Sequence, residues 1–288
     1  MARCVAIFSP FDPASEISRL NARAGAQDVE VSEDMAAVLT AAATAWERTE
    51  GAFDVTVLPL VRAWKEAAGT GVAPDPARLE ALLRSVGMGK VAFDPASRRI
   101  RFRGDGVQLD LGGLAEGYVV DRVVALLKAG GVRKGLVNLG GDLRVFGGTA
   151  GDPFEIGVQH PRRAGELLGR VRVEDGAVGT SGDYEQYVSV GGRRYSHILD
   201  PTTGRPVPWS PSVTVLAGDA ITADALATGL SVLGAERGLA VARRLAGVEC
   251  LFVRQDGEGR MTRVSSPGMA ARFREAAGAG IPCVDASP

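Results

Sequence analysis

Leu136-Val137-Asn138-Leu139-Gly140-Gly141-Asp142-Leu143-Arg144-Val145-Phe146 is the stretch on which the fold class turns. Two short apolar runs flank a pair of glycines, which reads as strand, glycine turn, strand. Further short apolar runs follow at 154–158 and 170–173, again separated by glycine, so the region 136–190 reads as strand-rich and antiparallel. Downstream, 187–190 and 194–199 surround Gly191-Gly192 as a hairpin, and 213–217 is one more strand. Helical patterns at 223–233 and 236–245 and strands at 250–254 and 261–264 complete this half.

Working upstream, residues 33–46 repeat small and apolar side chains at helical spacing behind Ser32 as N-cap. Asp75-Pro76 starts a helix over 77–86, preceded by a glycine-bearing loop at 69–74. Pro95-Ala96-Ser97 joins 90–94 to 99–103 as a hairpin, and 107–111 reads as a buried strand running into a helix at 115–128 that ends at Gly130-Gly131. Strands and helices mix without a βαβ repeat. The expected class is therefore α+β, with mixed, largely antiparallel strands and packed helices, in a single domain of two intimate lobes with a loop boundary near 69–75.

With 33 Lys plus Arg against 34 Asp plus Glu, the net charge of −1 gives no general attraction to nucleic acid or an anionic membrane. Cys4, Cys250 and Cys283 are too scattered for a disulfide framework or a thiolate zinc site and read as buried or inert thiols. The run before Pro10 is too short for a signal peptide and no lipoprotein-type cysteine is present, so the chain as written is expected in the cytoplasm. The longest charge-free apolar-leaning stretch is taken as 35–46, short of a membrane span. Glycine is in excess, at 38 of 288 residues, and 13 of them lie between Gly104 and Gly151. Backbone must approach something closely there.

Three segments could carry chemistry. In Leu109-Asp110-Leu111-Gly112-Gly113-Leu114-Ala115-Glu116-Gly117-Tyr118, a carboxylate ends a strand and a Gly-Gly turn opens a helix. The arrangement offers backbone N–H groups to an anion, or simply makes Asp110 a cap. Asp224 and Thr228 are i and i+4, so their oxygens could share a hard cation, although Asp224 could instead stabilise a helix dipole. His197, one of two histidines, lies beside a Pro-Thr-Thr-Gly turn, where it could be a general base or a structural residue; His160 sits on an apparent surface turn. Asp plus hydroxyl plus carbonyl suits Mg²⁺ better than zinc. Polar residues at the ends of apolar strands in 53–57, 138–142 and 180–184 suggest a phosphate-bearing ligand held by backbone.

Seven segments in order resemble the ApbE-type FAD:protein FMN transferases: Phe-Asp-Pro-x-Ser-Glu-Ile-Ser-Arg-Leu-Asn (11–21), Phe-Asp-Val-Thr-Val-x-Pro-Leu-Val-x-x-Trp (53–64), Asp-Leu-Gly-Gly-Leu-Ala-Glu-Gly-Tyr-x-x-Asp (110–121), Asn-x-Gly-Gly-Asp (138–142), Thr-Ser-Gly-Asp-Tyr (180–184), Tyr-Ser-His-Ile-Leu-Asp-Pro-x-Thr-Gly-x-Pro-Val (195–207) and Ala-Asp-Ala-Leu-Ala-Thr (223–228). The resemblance implies an ApbE-like fold and Mg²⁺-dependent cleavage of FAD. The FMN half would pass to a threonine of an acceptor flavoprotein, which could be membrane-associated, with release of AMP. It implies that Asp110 and Glu116 contact FAD, and that Ala52, Phe53, Asp54 and Ile198 line the flavin site with Phe11 flanking it. It further implies that the Gly113 carbonyl, Asp224 and Thr228 hold Mg²⁺, and that His197 is the base toward the threonine. Gly112, Gly113, Gly140 and Gly141 are expected to bring backbone close to the nucleotide and its metal. Family members usually carry an export signal and strands with a Gly-Thr segment ahead of the Phe-Asp-Pro motif, and many are periplasmic or lipid-anchored. With that motif starting at residue 11, the chain is expected either to be a member short at its N-terminus or to have its true start, and with it an export signal, upstream. The alternatives are an FAD pyrophosphatase, in which water replaces the threonine, and a flavin-binding protein without turnover.

Overall fold

The structure, a computed structural model, describes residues 2–183, 187–208, 212–256 and 258–284. Two compact units divide the chain, Met1–Ala115 with Tyr187–Val207 and Glu116–Gln186 with Pro208–Pro288. The first opens with α1 (Ala2–Phe8), α2 (Glu16–Arg23), β1 (Val29–Glu30), α3 (Glu33–Arg48), α4 (Leu58–Thr70), α5 (Pro76–Leu83), β2 (Val91–Asp94) and β3 (Arg99–Phe102). Helix α6 (Gly112–Ala129) runs on into the second unit, followed by β4 (Gly135–Leu139), β5 (Asp142–Phe146), β6 (Phe154–Gln159), β7 (Leu167–Val173) and β8 (Gly176–Gly182). The chain returns to the first unit for β9 (Tyr187–Val190) and β10 (Arg193–Ser196). It ends in the second with β11 (Ser212–Ala217), α7 (Ala220–Arg244), β12 (Glu249–Gln255), β13 (Met261–Ser265), α8 (Pro267–Arg272) and β14 (Phe273–Glu275).

In the second unit, six antiparallel strands lie in the order β13-β12-β11-β8-β5-β4 and a separate sheet runs β14-β7-β6. The sequence of β12 shows why this makes layers. Cys250 and Phe252 pack with Leu226 and Leu230 of α7, whereas Leu251 and Val253 pack with Val171 and Met269 on the opposite face. Alternation at period two thus feeds two cores from one strand, and burial on both faces explains its unbroken apolar run. At 25 residues α7 is long and apolar enough to cross a membrane by length and composition, and 72% of its most apolar window is buried in the unit, as in a core helix. The two predicted helices at 223–233 and 236–245 are its two halves, joined at Gly234, whose φ of 74° breaks the helical path.

In the first unit, β1, β3 and β2 form a small antiparallel sheet, and β9 pairs with β10. Its core gathers Leu60 and Trp64 of α4 with Leu79, Val190 and Leu199. Ser32 caps α3 by accepting from Met35 N (3.2 Å), and Glu16 of α2 accepts from both the Ser32 N–H and hydroxyl at 2.7 Å.

Several expectations need correction. Residues 107–111 form no strand beyond a single parallel bridge between Gln108 and Val57: Asn21 of α2 takes both main-chain groups of Leu109, and Asp110 N donates to Val55 O at 2.7 Å. An amide side chain and a loop occupy the places a neighbouring strand would fill. Residues 53–57 are likewise a turn leading into α4 rather than a strand end. Helix α6 begins at Gly112 instead of Ala115, β10 stops at Ser196, and β7 starts earlier than expected, at Leu167. Cys283 is exposed, while Cys250 is buried with its thiol pushed up to about 12. Tyr184 lies outside the described residues.

His160 is buried, only 2% exposed, rather than on a surface turn. Its Nδ1 accepts from Arg162 N and Arg163 N, both at 3.1 Å, so the ring closes the bend after β6 as a neutral acceptor. Burial, and then the Arg163 guanidinium, hold it below the ordinary histidine value. Between that lowered value and about 6.5 the unfolded chain binds more protons, so stability contributed by His160 is present above the window and lost as pH falls through it. The unfolding midpoint is expected to drop between about pH 7 and pH 5 more steeply in wild type than in His160→Asn, which keeps an acceptor without the titration; parallel melting curves would reject the assignment.

Candidate active site

The acid-rich part of the site is built within the second unit around α7. Asp219 caps this helix by accepting from Thr222 N (2.9 Å), and Asp121 of α6 accepts from Ala220 N and Ile221 N, both at 3.0 Å. Asp121 is held in turn by Arg144 Nη1 at 2.6 Å. The start of α7 is therefore fixed by two carboxylates, which answer its orphan N–H groups and its dipole. Asp224 follows one turn later, 7% exposed, and accepts from Gly117 N at 3.2 Å.

Only glycine permits this placement. A Cβ on Gly117 would lie 2.4 Å from the Ala220 carbonyl oxygen, and one on Gly179 of β8 would lie 2.9 Å from Asp224 N. Backbone meets backbone at both positions, so Asp224 sinks between α6 and β8. Asp142, at the first position of β5, hydrogen-bonds to the Asp224 carboxyl, and Glu116 is close enough to act on it by charge. The Asp224 carboxyl stands well above the ordinary carboxylate range, raised first by burial, then by Asp142 and less by Glu116, with the Gly117 N–H opposing. Glu116 lies against Gly140 and is itself raised by burial. One turn beyond Asp224, the Thr228 hydroxyl lies 3.2 Å from the Ser181 hydroxyl.

Among the described residues, no three His, Cys, Asp or Glu side chains converge as a metal-binding group by themselves. A cation here would depend on hydroxyl and carbonyl oxygens beside one or two carboxylates, the donor set that Mg²⁺ accepts. The donors fit such an ion. Asp224 faces two like charges against a single main-chain N–H, an imbalance that a bound cation would reverse.

The remaining candidates lie in the first unit, among them Gly113 at the start of α6, where φ −87° and ψ 18° depart from the helix. Asp110 is half-buried, and its Oδ1 accepts from Gly112 N at 2.9 Å at the start of α6; burial raises its carboxyl while Gly112, Lys65 and Arg62 oppose. Asp54 is buried, with Oδ1 accepting from Thr56 N and Oγ1 (2.8 and 2.5 Å) and Oδ2 from Met88 N (2.9 Å). Its carboxylate ties two loops together. Ala52 and Phe53 are buried in the core, at 7% and 4% exposure, so any ligand would meet their backbone rather than their side chains. Phe11 is 56% exposed, with the Lys65 ammonium 3.5 Å above its ring.

His197 is half-buried and follows directly on β10, while Ile198 is buried and its carbonyl accepts from Val207 N at 3.0 Å. The next turn secures both. Asp200 accepts from Thr202 N and Oγ1 (2.8 and 2.7 Å), and the Trp64 indole donates to Gly204 O at 2.8 Å. A groove of about 310 Å³ elsewhere in this unit, lined by α3 residues with Met88 and Phe93, contains none of the predicted site residues.

The sequence reading missed Gly117, Gly179 and Asp121 as the residues that place Asp224, and Trp64 as the anchor of the turn after His197. Gly117 and Asp121 do lie at i+1 and i+5 from Glu116, in the segment singled out for its glycines.

The mixed α+β fold with largely antiparallel sheets and a buried carboxylate on a core helix is that of a flavin-transferase class of proteins. The chain belongs to the ApbE family, whose model matches residues 1–252. It is 34% identical over 276 residues to the FAD:protein FMN transferase of Treponema pallidum, covering 90% of this chain and 75% of that protein. With the Vibrio cholerae enzyme of the same name it shares 38% over 244 residues, covering 81% and 71%. Among solved structures it is similar to the ApbE protein of Thermotoga maritima (TM-score 0.83, 35% identity, 96% and 89% covered) and to the flavin transferase ApbE of Vibrio cholerae (0.80, 33%, 94% and 87%). The expected α+β, ApbE-like fold is thereby established.

A carboxyl raised by its folded surroundings costs stability as pH rises through its value, and the full penalty is present above it. Asp224→Asn keeps an acceptor for Gly117 N and removes the charge. In metal-free solution at neutral pH the variant is expected to melt a few degrees higher than wild type, with the difference vanishing in acid; a lower melting point at neutral pH would show that the repulsion is not felt.

Proposed function

We propose that this protein is an FAD:protein FMN transferase that moves the FMN half of FAD to a threonine hydroxyl of an acceptor flavoprotein, with Mg²⁺ as cofactor and AMP as the other product. The observation that carries the reading is the buried Asp224 with Asp142 and Glu116 beside it, in a family whose relatives bear that enzyme name. In the reaction the threonine oxygen bonds to the phosphorus on the FMN side of the pyrophosphate, the bond from that phosphorus to the AMP oxygen breaks, and the hydroxyl proton leaves to a base. His197 is the residue we assign to that proton, as a neutral imidazole. Asp224 and Thr228, with the Gly113 carbonyl that the resemblance adds, would hold Mg²⁺. The ion would supply charge neutralisation on the pyrophosphate oxygens.

The test is to incubate the protein with FAD, Mg²⁺ and a flavin-free flavoprotein domain whose mature form carries FMN on a threonine. One FMN mass increment on the acceptor is expected for each AMP released; FMN released into solution without an acceptor would favour the pyrophosphatase instead. Asp224→Ala is expected to abolish transfer and its Mg²⁺ dependence. Because the ion requires the ionised carboxyl, apparent Mg²⁺ affinity in wild type should weaken as pH falls. His197→Ala is expected to slow transfer by about 10²–10⁴-fold with FAD affinity little changed, and an equal loss in FAD binding would make it a binding residue.

A further inference from the structure

Strand β8 and helix α7 lie against each other in step. Residues of a strand alternate faces, and on β8 Ala177 packs with α7 while Val178 packs in the core on the opposite face. Gly179 follows on the α7 face, close against Asp224 N, and Ser181 follows Gly179 with its hydroxyl 3.2 Å from that of Thr228. Two residues of strand advance about 6.8 Å and four residues of helix about 6.0 Å. The register that seats Asp224 against Gly179 therefore brings Ser181 opposite Thr228. Thr180 belongs to the other face and pairs its hydroxyl with that of Thr214 of β11 at 3.0 Å.

The Thr228 hydroxyl departs from the habit of other helical hydroxyls in this chain. Thr40 and Thr44 of α3 and Ser231 of α7 each donate to the carbonyl four residues back, at 2.8, 3.0 and 2.8 Å. Among the described residues Thr228 makes no such bond, and its one side-chain hydrogen bond goes to Ser181. A hydroxyl carries one proton and two acceptor lone pairs. If Thr228 gives its proton to Ser181, both of its lone pairs stay unused; the reverse direction would spend one of them on Ser181.

We propose that Ser181 is a positioning residue for Mg²⁺: it accepts the Thr228 hydroxyl proton, holds that side chain toward β8, and leaves the lone pairs of the threonine oxygen for the cation. The role rests on the reading of Thr228 as a metal ligand given above; the hydroxyl pair itself does not. A cation repels the proton of a hydroxyl that faces it, so its arrival favours this direction of the hydrogen bond. Groups that orient a metal ligand in this way account for about 10–100-fold in metal affinity. Ser181 also lies in the segment 180–184, to which the proposed reaction gives no other part.

Melting of the full chain against MgCl₂ at fixed FAD, without acceptor, gives the apparent Mg²⁺ affinity from the metal-dependent rise in midpoint. Ser181→Ala is expected to weaken that affinity about tenfold or more, with melting midpoint and FAD affinity in EDTA as in wild type. Thr228→Val is expected to weaken it as well, and Ser181→Ala added to Thr228→Val is expected to cost nothing further, because the two hydroxyls act as a unit. Wild-type Mg²⁺ affinity in Ser181→Ala overturns the proposal, and so does an additive loss in the double variant. Should Ser181→Ala melt early in EDTA, Ser181→Cys, which fills the space with a weaker acceptor, is held to the same outcomes. If Thr228→Val leaves Mg²⁺ affinity unchanged, the metal reading fails and this proposal falls with it. If Thr228→Val weakens it and Ser181→Ala does not, the metal reading stands and this proposal alone fails.

Discussion

Close contact between main chains at Gly117 and Gly179 is the constraint on which the acidic site depends. Both glycines touch the first turns of α7, one from α6 and one from β8, at separations that no side chain permits. Interiors this dense do not yield by a methyl group without a shift of backbone. The consequence is chemical as well as steric. Asp224 enters a region where water cannot solvate its charge, and its one main-chain donor comes from the same residue, Gly117, that makes the approach possible. Asp121 completes the arrangement from four residues further along α6, because its two oxygens meet the first N–H groups of α7 while Arg144 balances its charge.

Placing Asp142 against Asp224, with the Glu116 charge within range, has an energetic meaning that packing alone would not supply. Asp142 and Glu116 both push the Asp224 carboxyl upward, so the fold by itself favours the protonated acid. A protein selected only for stability would replace one of them, since like charges at short range in a poorly solvated site oppose folding. Their presence side by side is intelligible if a cation restores the balance, and the same cation would then be the element that brings phosphate oxygens to this place. Local destabilisation and capacity to bind are two expressions of one charge distribution.

The fold was legible wherever its cause was local. The apolar runs around Gly140-Gly141 become β4 and β5, Ser32 caps α3 as its position announces, and even the gap between the two helical patterns of α7 marks a real break at Gly234. What could not be read depends on partners distant in the chain. Residues 107–111 have the composition of a strand, but Asn21, 88 positions away, answers the main chain of Leu109. The site shows the same division. Asp224 and Thr228 stand out through their i, i+4 spacing, whereas Gly117, Gly179 and Asp121 acquire their roles only when α7 is laid against them. His160 was misplaced because a histidine before a proline resembles a surface turn, while its ring is in fact the buried acceptor of that turn.

The acids in the quoted motifs fall into two physical kinds. Asp54, Asp110 and Asp200 each accept from N–H groups two residues along, and Asp54 reaches a further donor at Met88, so these acids tie their own loops, while burial still raises Asp54 and Asp110. Asp224 sits instead beside other carboxyls, and for it the fold provides less positive character than negative. A motif reading treats the two kinds alike, since both are aspartates near glycine at the ends of elements. Geometry separates them. An acid answered by its own main chain organises the loop on which a ligand rests, and it has little left to offer that ligand. An acid left among acids is the one able to gain from a cation, and in this fold that acid is Asp224.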